Sequence, residues 1–221
     1  MSLSVIITTL NAAGTLAHTL ASIEGVEEVI VVDSGSVDET EKLAAALGAR
    51  VVAAPRGRGP QLRGGAEATR GDWLLFLHAD TSLDEGWKVA VAAFRSRPEC
   101  LGKAAVFLFA VDDPSHRARR LERMVAWRVR WLALPYGDQG LLIHRDFYKA
   151  IGGFRPMPLM EDVDIVRRIG RARLVVLPVA ARTSAARWRK DGWLMRSSRN
   201  LACLALYFVG VSPRFIKRLY G

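Results

Sequence analysis

Four short apolar runs rich in β-branched residues, separated by segments of helical apolar spacing, constrain the first third of this chain more tightly than any other feature. The runs are SVIITTL (4 to 10), EVIVVD (28 to 33), ARVVAA (49 to 54) and DWLLFL (72 to 77); the helical segments are 14 to 23, 38 to 47 and 61 to 69. Strands apolar along both faces need cover on both, and helices between successive strands supply it through parallel crossovers. The pattern predicts an α/β fold with a mostly parallel central sheet and helices on both faces. In such a sheet ligands gather beyond the carboxyl ends of the strands. Here those exits read Thr8-Thr9-Leu10-Asn11, Asp33-Ser34-Gly35-Ser36, Pro55-Arg56-Gly57-Arg58 and His78-Ala79-Asp80.

The second half is less regular. Residues 103 to 111, 141 to 144 and 173 to 179 read as strands, 115 to 134 and 160 to 168 as helices, 146 to 151 as a helical turn and YGDQG (136 to 140) as a loop. No internal repeat, low-complexity stretch or linker-like break divides the chain. We expect one domain over residues 1 to 182, with a basic extension, 183 to 221, packed on it.

With 221 residues, half of them hydrophobic, the chain can bury a proper core. Cys100 and Cys203 are the only cysteines and form no CxxC pair, which argues against a disulfide framework or structural zinc and fits a reducing, cytoplasmic setting. The first apolar run lacks a preceding basic segment and reads as a strand rather than a signal peptide. The longest later run, 201 to 211, is shorter than the about 20 residues a spanning helix needs.

The net charge of +10 resides in one quarter of the chain: residues 171 to 221 hold eleven Lys or Arg against the single acid Asp191, and the remainder balances. Such a tail suits a phosphate-bearing or anionic-surface partner, or a solvated face kept for solubility. In the 115 to 134 segment, Met124, Trp127, Trp131 and Leu134 share one stripe, while Arg119, Arg120, Arg123 and Arg130 lie mostly elsewhere. That arrangement fits an anionic membrane face, ordinary core packing or a homodimer contact.

Neither GxGxxG after the first strand nor GxxxxGK[ST] occurs, so a nucleotide is held some other way than in a Rossmann dinucleotide site or a P-loop. Asp33 can accept a hydrogen bond from a base or ribose, with Ser36 and Asp38 behind it; all three also serve as caps and turn formers. His78 and Asp80 stand two apart in an extended segment, an arrangement that lets both face one ion. A cation bridging a diphosphate takes only one or two protein ligands, so this pair suffices, although Asp80 also suits a turn. Glu161 and Asp162 open a helix, where the dipole favours acids. Side chains about 100° apart there leave room for only one to enter a cleft squarely, as general base for a hydroxyl.

These motifs together resemble the family 2 glycosyltransferases, in SVIITTLNAAGTL, VIVVDSGSVDET, GDWLLFLHADT, GGFRPMPLMEDVDIVRRI and SAARWRKDGW. HADT, LPYGDQG and PLMEDV are further similar to a subgroup of short bacterial members sometimes named for arsenosugar biosynthesis. The resemblance implies a GT-A fold and transfer of a sugar from a nucleotide-diphosphate donor, a UDP-sugar, to a hydroxyl acceptor with a divalent cation, Mn2+ or Mg2+. Thr8, Asn11, Asp33, Ala79 and an arginine of the 56 to 63 stretch, Arg56 or Arg63, would hold the nucleotide. Asp80 with His78 would bind the cation and Asp162 would be the base. Asp138, Gln139, Glu161, Arg187 and Trp188 would flank phosphate and acceptor. Two departures stand out: His78 replaces the first acid of the family's Asp-x-Asp triplet, and Ser184 begins its Gln/Arg-x-x-Arg-Trp element.

The acceptor expected from the basic helix and tail is lipid-linked, at the inner face of a membrane. A nucleic-acid-binding module using Arg187, Trp188, Arg189 and Trp193 explains the charge but leaves the strand-exit acids unused. A sugar nucleotidyltransferase needs a Gly-rich basic loop that TLNAAGTL does not supply.

Overall fold

A computed structural model describes residues 1–220. Eight strands form one sheet in the order β3-β2-β1-β4-β7-β6-β8-β5. The first block comprises β1 (Leu3–Thr9), β2 (Glu28–Asp33), β3 (Arg50–Ala53) and β4 (Trp73–His78), all parallel. Helices α1 (Ala13–Ser22), α2 (Thr40–Ala46) and α3 (Arg58–Ala68) make the crossovers.

Alternate residues of one strand enter opposite layers, as the two-residue period of a strand requires. Val5, Ile7, Val31, Trp73 and Leu75 pack with Leu16 and Leu20 of α1 and with α4 (Trp87–Arg95). Ile6, Ile30, Val32, Leu74 and Phe76 pack with Leu62 of α3, α6 (Arg145–Ala150) and α7 (Glu161–Ile169). Helices therefore cover both faces, as the apolar runs require.

The second block is mixed. β7 (Leu141–His144) runs antiparallel to both β4 and β6 (Ala104–Asp112), β8 (Leu174–Ser184) is parallel to β6, and the three-residue β5 (Thr81–Leu83) closes the edge antiparallel to β8. Two of these elements, β5 and α4, lie outside the expectations above, and β8 continues five residues beyond Val179. Its continuation passes Pro178 because the register against β6 shifts there: Phe107 faces Leu177 and Leu108 faces Ala180. The bulge takes up the residue that cannot donate to the ladder.

The chain ends in α8 (Ala186–Asp191), α9 (Trp193–Phe208) and α10 (Pro213–Tyr220). Cys203, Leu204 and Ile216 pack on Leu134, Met160 and Val163, so the basic tail is helical and lies against the start of α7. α5 (His116–Leu132) packs on β6 and α8 through Ala118, Val125 and Val129. Leu134 is buried, but Met124, Trp127 and Trp131 are exposed, which removes ordinary core packing as the reason for that stripe. No helix among the described residues is long and apolar enough to cross a membrane.

Candidate active site

The topology delivers four separate segments to the carboxyl end of β4. β7 begins opposite Phe76, so the turn before it (Gly137–Gln139) lies beside His78. Thr81 pairs with Thr183, and the Ser184 amide donates to the Asp80 carbonyl at 3.0 Å, which brings Arg187 to 3.6 Å from the Asp80 carboxylate. Gly59 packs so tightly on the backbone of Arg155 and Met157 that a Cβ would collide with it, and this fixes Arg58 near Glu161. Met160, in the left-handed region at φ 67°, turns the chain into α7.

Arg58, His78, Asp80, Asp138, Glu161, Asp162, Arg187 and Trp188 line one cavity of about 90 Å³. Glu161 and Asp162 both enter it, against the expectation that only one would. They occupy the first two positions after the Met160 turn, where the helical spacing has only begun. Asp162 Oδ2 accepts from the Gly137 amide at 3.0 Å and Oδ1 from the Val163 amide at 2.7 Å, so its carboxylate is locked in place. The Nε2 edge of His78 is closed off by Gly137, where a Cβ would lie 2.6 Å away. His78 and Asp80 reach the same cavity through the turn at Ala79 rather than through strand alternation.

Crowded acids in a buried cavity hold their protons to higher pH. Burial, reinforced by Asp162, pushes Glu161 up to about 7, although Arg58 opposes it. Burial likewise pushes Asp138 up to about 6 against the pull of Arg128. For Arg58, burial acts to lower the value, but Glu161 and Asp162 outweigh it and hold the guanidinium above its ordinary range. Burial and Arg58 drive His78 down to about 3, so its ring is neutral at working pH. Asp138 Oδ1 and Glu161 Oε2 are buried without a hydrogen-bond partner among the described residues.

A carboxyl whose native pKa exceeds its unfolded value stabilises the fold at low pH and loses that contribution as pH rises through the native value. Glu161→Gln should therefore raise Tm relative to the parent at pH 8 and leave it nearly unchanged at pH 5. Melting curves in EDTA across that range check this; a pH-independent difference would contradict the assignment.

The remaining expected residues form a rim around the neighbouring strand ends. Thr8 lies in register with both Val32 and His78. Asp33 is buried and accepts from Thr9 Oγ1, Ser36 Oγ and the amides of Gly35 and Ser36 at 2.6–2.8 Å, so its carboxylate organises the turn after β2. These donors, offsetting the cost of burial, hold it below the ordinary carboxylate value. Asn11, at φ 51°, accepts from the Val37 amide and donates its own to Ser36, tying the first two exits together. The Ala79 carbonyl is taken by Thr19, and Gln139 donates to the Phe107 carbonyl.

Of the three arginines in 56 to 63, Arg58 enters the cavity; Arg63 instead pairs with Glu67 at 2.9 Å on the outer face of α3, and Arg56 is exposed. Arg58 is masked in the sequence because Pro60 reads as a breaker, whereas proline in a first helical turn costs no hydrogen bond. Gln61 also went unnoticed: its amide donates to the carbonyls of Thr9 and Val32, both at 2.8 Å, stapling the ends of β1 and β2. Arg196, Asn200 and Tyr220 complete the cavity wall from helices whose sequences carry no motif, and Tyr136 joins them from the LPYGDQG turn.

The model of the family described as glycosyl transferase family 2 matches residues 4–157. The chain belongs to this family. A PGL/p-HBAD biosynthesis glycosyltransferase of Mycobacterium tuberculosis is 41% identical over 103 residues, covering 41% of this chain and 40% of that protein. Glucosyl-3-phosphoglycerate synthase of the same species is 37% identical over 93 residues, 36% of this chain and 29% of the synthase. The matched part is thus well under half the length of these curated relatives.

A crystal structure of that synthase with Mn2+, UDP and phosphoglyceric acid superposes with TM-score 0.63 at 21% identity, covering 95% of this chain and 79% of the other. A second, with Mn2+, UDP-glucose and phosphoglyceric acid, gives TM-score 0.58 at 25% identity, covering 82% and 72%. The GT-A fold implied by the motifs is the fold of this chain.

Proposed function

We propose that this family 2 member transfers a sugar from a nucleotide-diphosphate donor, a UDP-sugar, to a hydroxyl acceptor with inversion. The observation carrying the proposal is the convergence of Asp80, Asp138, Glu161 and Asp162 with Arg58 and Arg187 in one cavity beside the strand-exit turns. The UDP-glucose and Mn2+ in the synthase, 25% identical to this chain, support the donor and the cation.

The residues present fit a divalent cation. Asp80 offers a hard oxygen at the mouth of β4, and Asp138 holds a buried oxygen without a partner. Among the described residues no three His, Cys, Asp or Glu side chains form a complete cage, which suits an ion whose other ligands are phosphate oxygens and water. We place the cation at Asp80, since Gly137 closes one edge of His78. When bound, the cation neutralises the charge developing on the leaving diphosphate.

In a single displacement the acceptor oxygen bonds to the anomeric carbon as the bond from that carbon to the diphosphate breaks. The electron pair leaves with the diphosphate, and Arg58 and Arg187 stabilise it. Asp162 takes the acceptor proton, its carboxylate aimed by the Gly137 and Val163 amides. The turns held by Asp33 and Asn11 present the nucleotide platform. The acceptor side is formed by the basic C-terminal helices, where a lipid-linked hydroxyl compound at the inner membrane face fits the charge.

A thermal-shift screen of nucleoside diphosphate sugars with and without Mn2+ tests the proposal. One donor at ~100 times its Kd should stabilise the protein by about 2.7 kcal/mol, and only with metal. Asp80→Asn should abolish the metal-dependent part. Absence of any metal-dependent shift across UDP-, GDP- and TDP-sugars would overturn the reading.

A further inference from the structure

Beside the acid cavity, α5 and α9 enclose an open groove of about 820 Å³, within the roughly 300–1,000 Å³ of ordinary ligand sites. Its walls are apolar: Met124, Trp127 and Leu132 from α5 face Leu194, Leu201 and Leu204 from α9. Trp127 and Trp131 are 59% and 56% exposed and Leu194 is 81% exposed, large apolar area for water to contact. On α9, Leu194, Leu201 and Phe208 recur every seventh residue and are all exposed, so the apolar stripe continues along that helix.

Two further observations select the occupant. The first is charge. Arg120 and Arg123 line the groove, and α5 carries six arginines against the single acid Glu122. With the basic tail, this gives an apolar strip within a cationic field, where indoles sit at an interface and arginine heads meet anionic headgroups. The second is continuity. Tyr136, Asp138, Trp188 and Asn200 line both the groove and the acid cavity, so the two share one wall. At that junction Asp138 Oδ1, Asn200 Oδ1, Trp188 Nε1 and Arg128 Nη2 are buried without partners among the described residues. Buried polar atoms in native proteins are generally paired, so this inner end is shaped for a polar group absent from the chain itself.

We propose that the groove between α5 and α9 takes the hydrocarbon chain of an anionic lipid from a bilayer on which this face rests, and leads its polar end to Asp138. Chain binding does not depend on the sugar-transfer reading; only the role of the lipid as acceptor rests on it.

Sedimentation with sucrose-loaded vesicles, without donor or metal, tests the binding. Equimolar phosphatidylglycerol and phosphatidylcholine should retain the protein at least ~10-fold better than phosphatidylcholine alone, and the difference should shrink between 50 and 300 mM salt, as screening requires. Trp127→Ser/Trp131→Ser, at exposed positions, should lose at least ~10-fold of this binding. Ser197→Leu, which narrows the groove without adding a fluorophore, should weaken at least ~10-fold the quenching of tryptophan by a short, brominated-chain phosphatidylglycerol kept below its micelle concentration, while inorganic phosphate leaves the fluorescence unchanged. Circular dichroism and the Mn2+-dependent UDP-sugar shift report separately on folding and donor binding.

Equal binding to neutral and anionic vesicles, unchanged binding in the Trp variants, or the same quenching in Ser197→Leu would overturn the proposal. So would a stable dimer in light scattering that the Trp variants dissolve, since a second copy would then cover the groove. If vesicles bind but no donor shifts the protein, the lipid site stands and the transferase reading falls.

Discussion

Asp162→Asn should lower turnover by at least ~10²-fold and leave donor affinity nearly intact, the usual size of a general-base effect. The geometry gives the reason such a loss would fall on kcat. Asp162 makes no ion pair among the described residues; its two oxygens accept from the Gly137 and Val163 amides and retain lone pairs directed into the cavity. An amide in its place keeps the shape but cannot accept a proton, and its NH2 must face one of the two amide donors. Steady-state kinetics with the donor found by thermal shift decide the matter: wild-type kcat in the variant removes Asp162 from the chemistry, and a rise confined to donor KM makes it a binding group.

Gly137→Ala should cost about as much activity for a different reason. The added methyl would lie 2.6 Å from His78 Nε2, so either the ring or the turn must move. If the turn moves, the hydrogen bond from Gly137 to Asp162 is broken; if the ring moves, the exit of β4 is disturbed next to Asp80. Overpacking of this kind costs about 1–3 kcal/mol, a drop of several degrees in Tm for a chain of this size. Adding His78→Ala removes the collision and should restore most of the lost Tm, a coupling that a double-mutant cycle reads directly. Equal Tm for Gly137→Ala and the parent would show that the contact is easily relieved.

The parallel block was legible because its signal is local. Runs such as SVIITTL and EVIVVD are strands by composition, and the polar residues at their ends then lie at one edge by topology alone. The convergence of Asp80 with Glu161 and Asp162 was legible only through the resemblance, since no periodicity relates positions eighty residues apart. Pro178 hid the far half of β8, because a proline reads as a stop until the bulge opposite Phe107 and Leu108 accommodates it. α4 carries Trp87, Val91 and Phe94 at helical spacing and was recoverable in principle. Arg58 was not, since its choice over Arg56 and Arg63 depends on how Gly59 seats against residues 155 to 157. At Asp33 the strand exit was legible, but the four donors on its carboxylate, two hydroxyls and two amides, depend on how the turn folds, which residue identity does not reveal.

The reversal of direction at β7 acts as a seam: on one side every strand is parallel and ends at the turns that carry Asn11, Asp33 and Asp80, and on the other the strands support α5 and the terminal helices. A splice along that line would part Asp80 from Glu161 and Asp162, so a chimera joined there keeps the turns of the first side but has to rebuild the shared cavity from the incoming half.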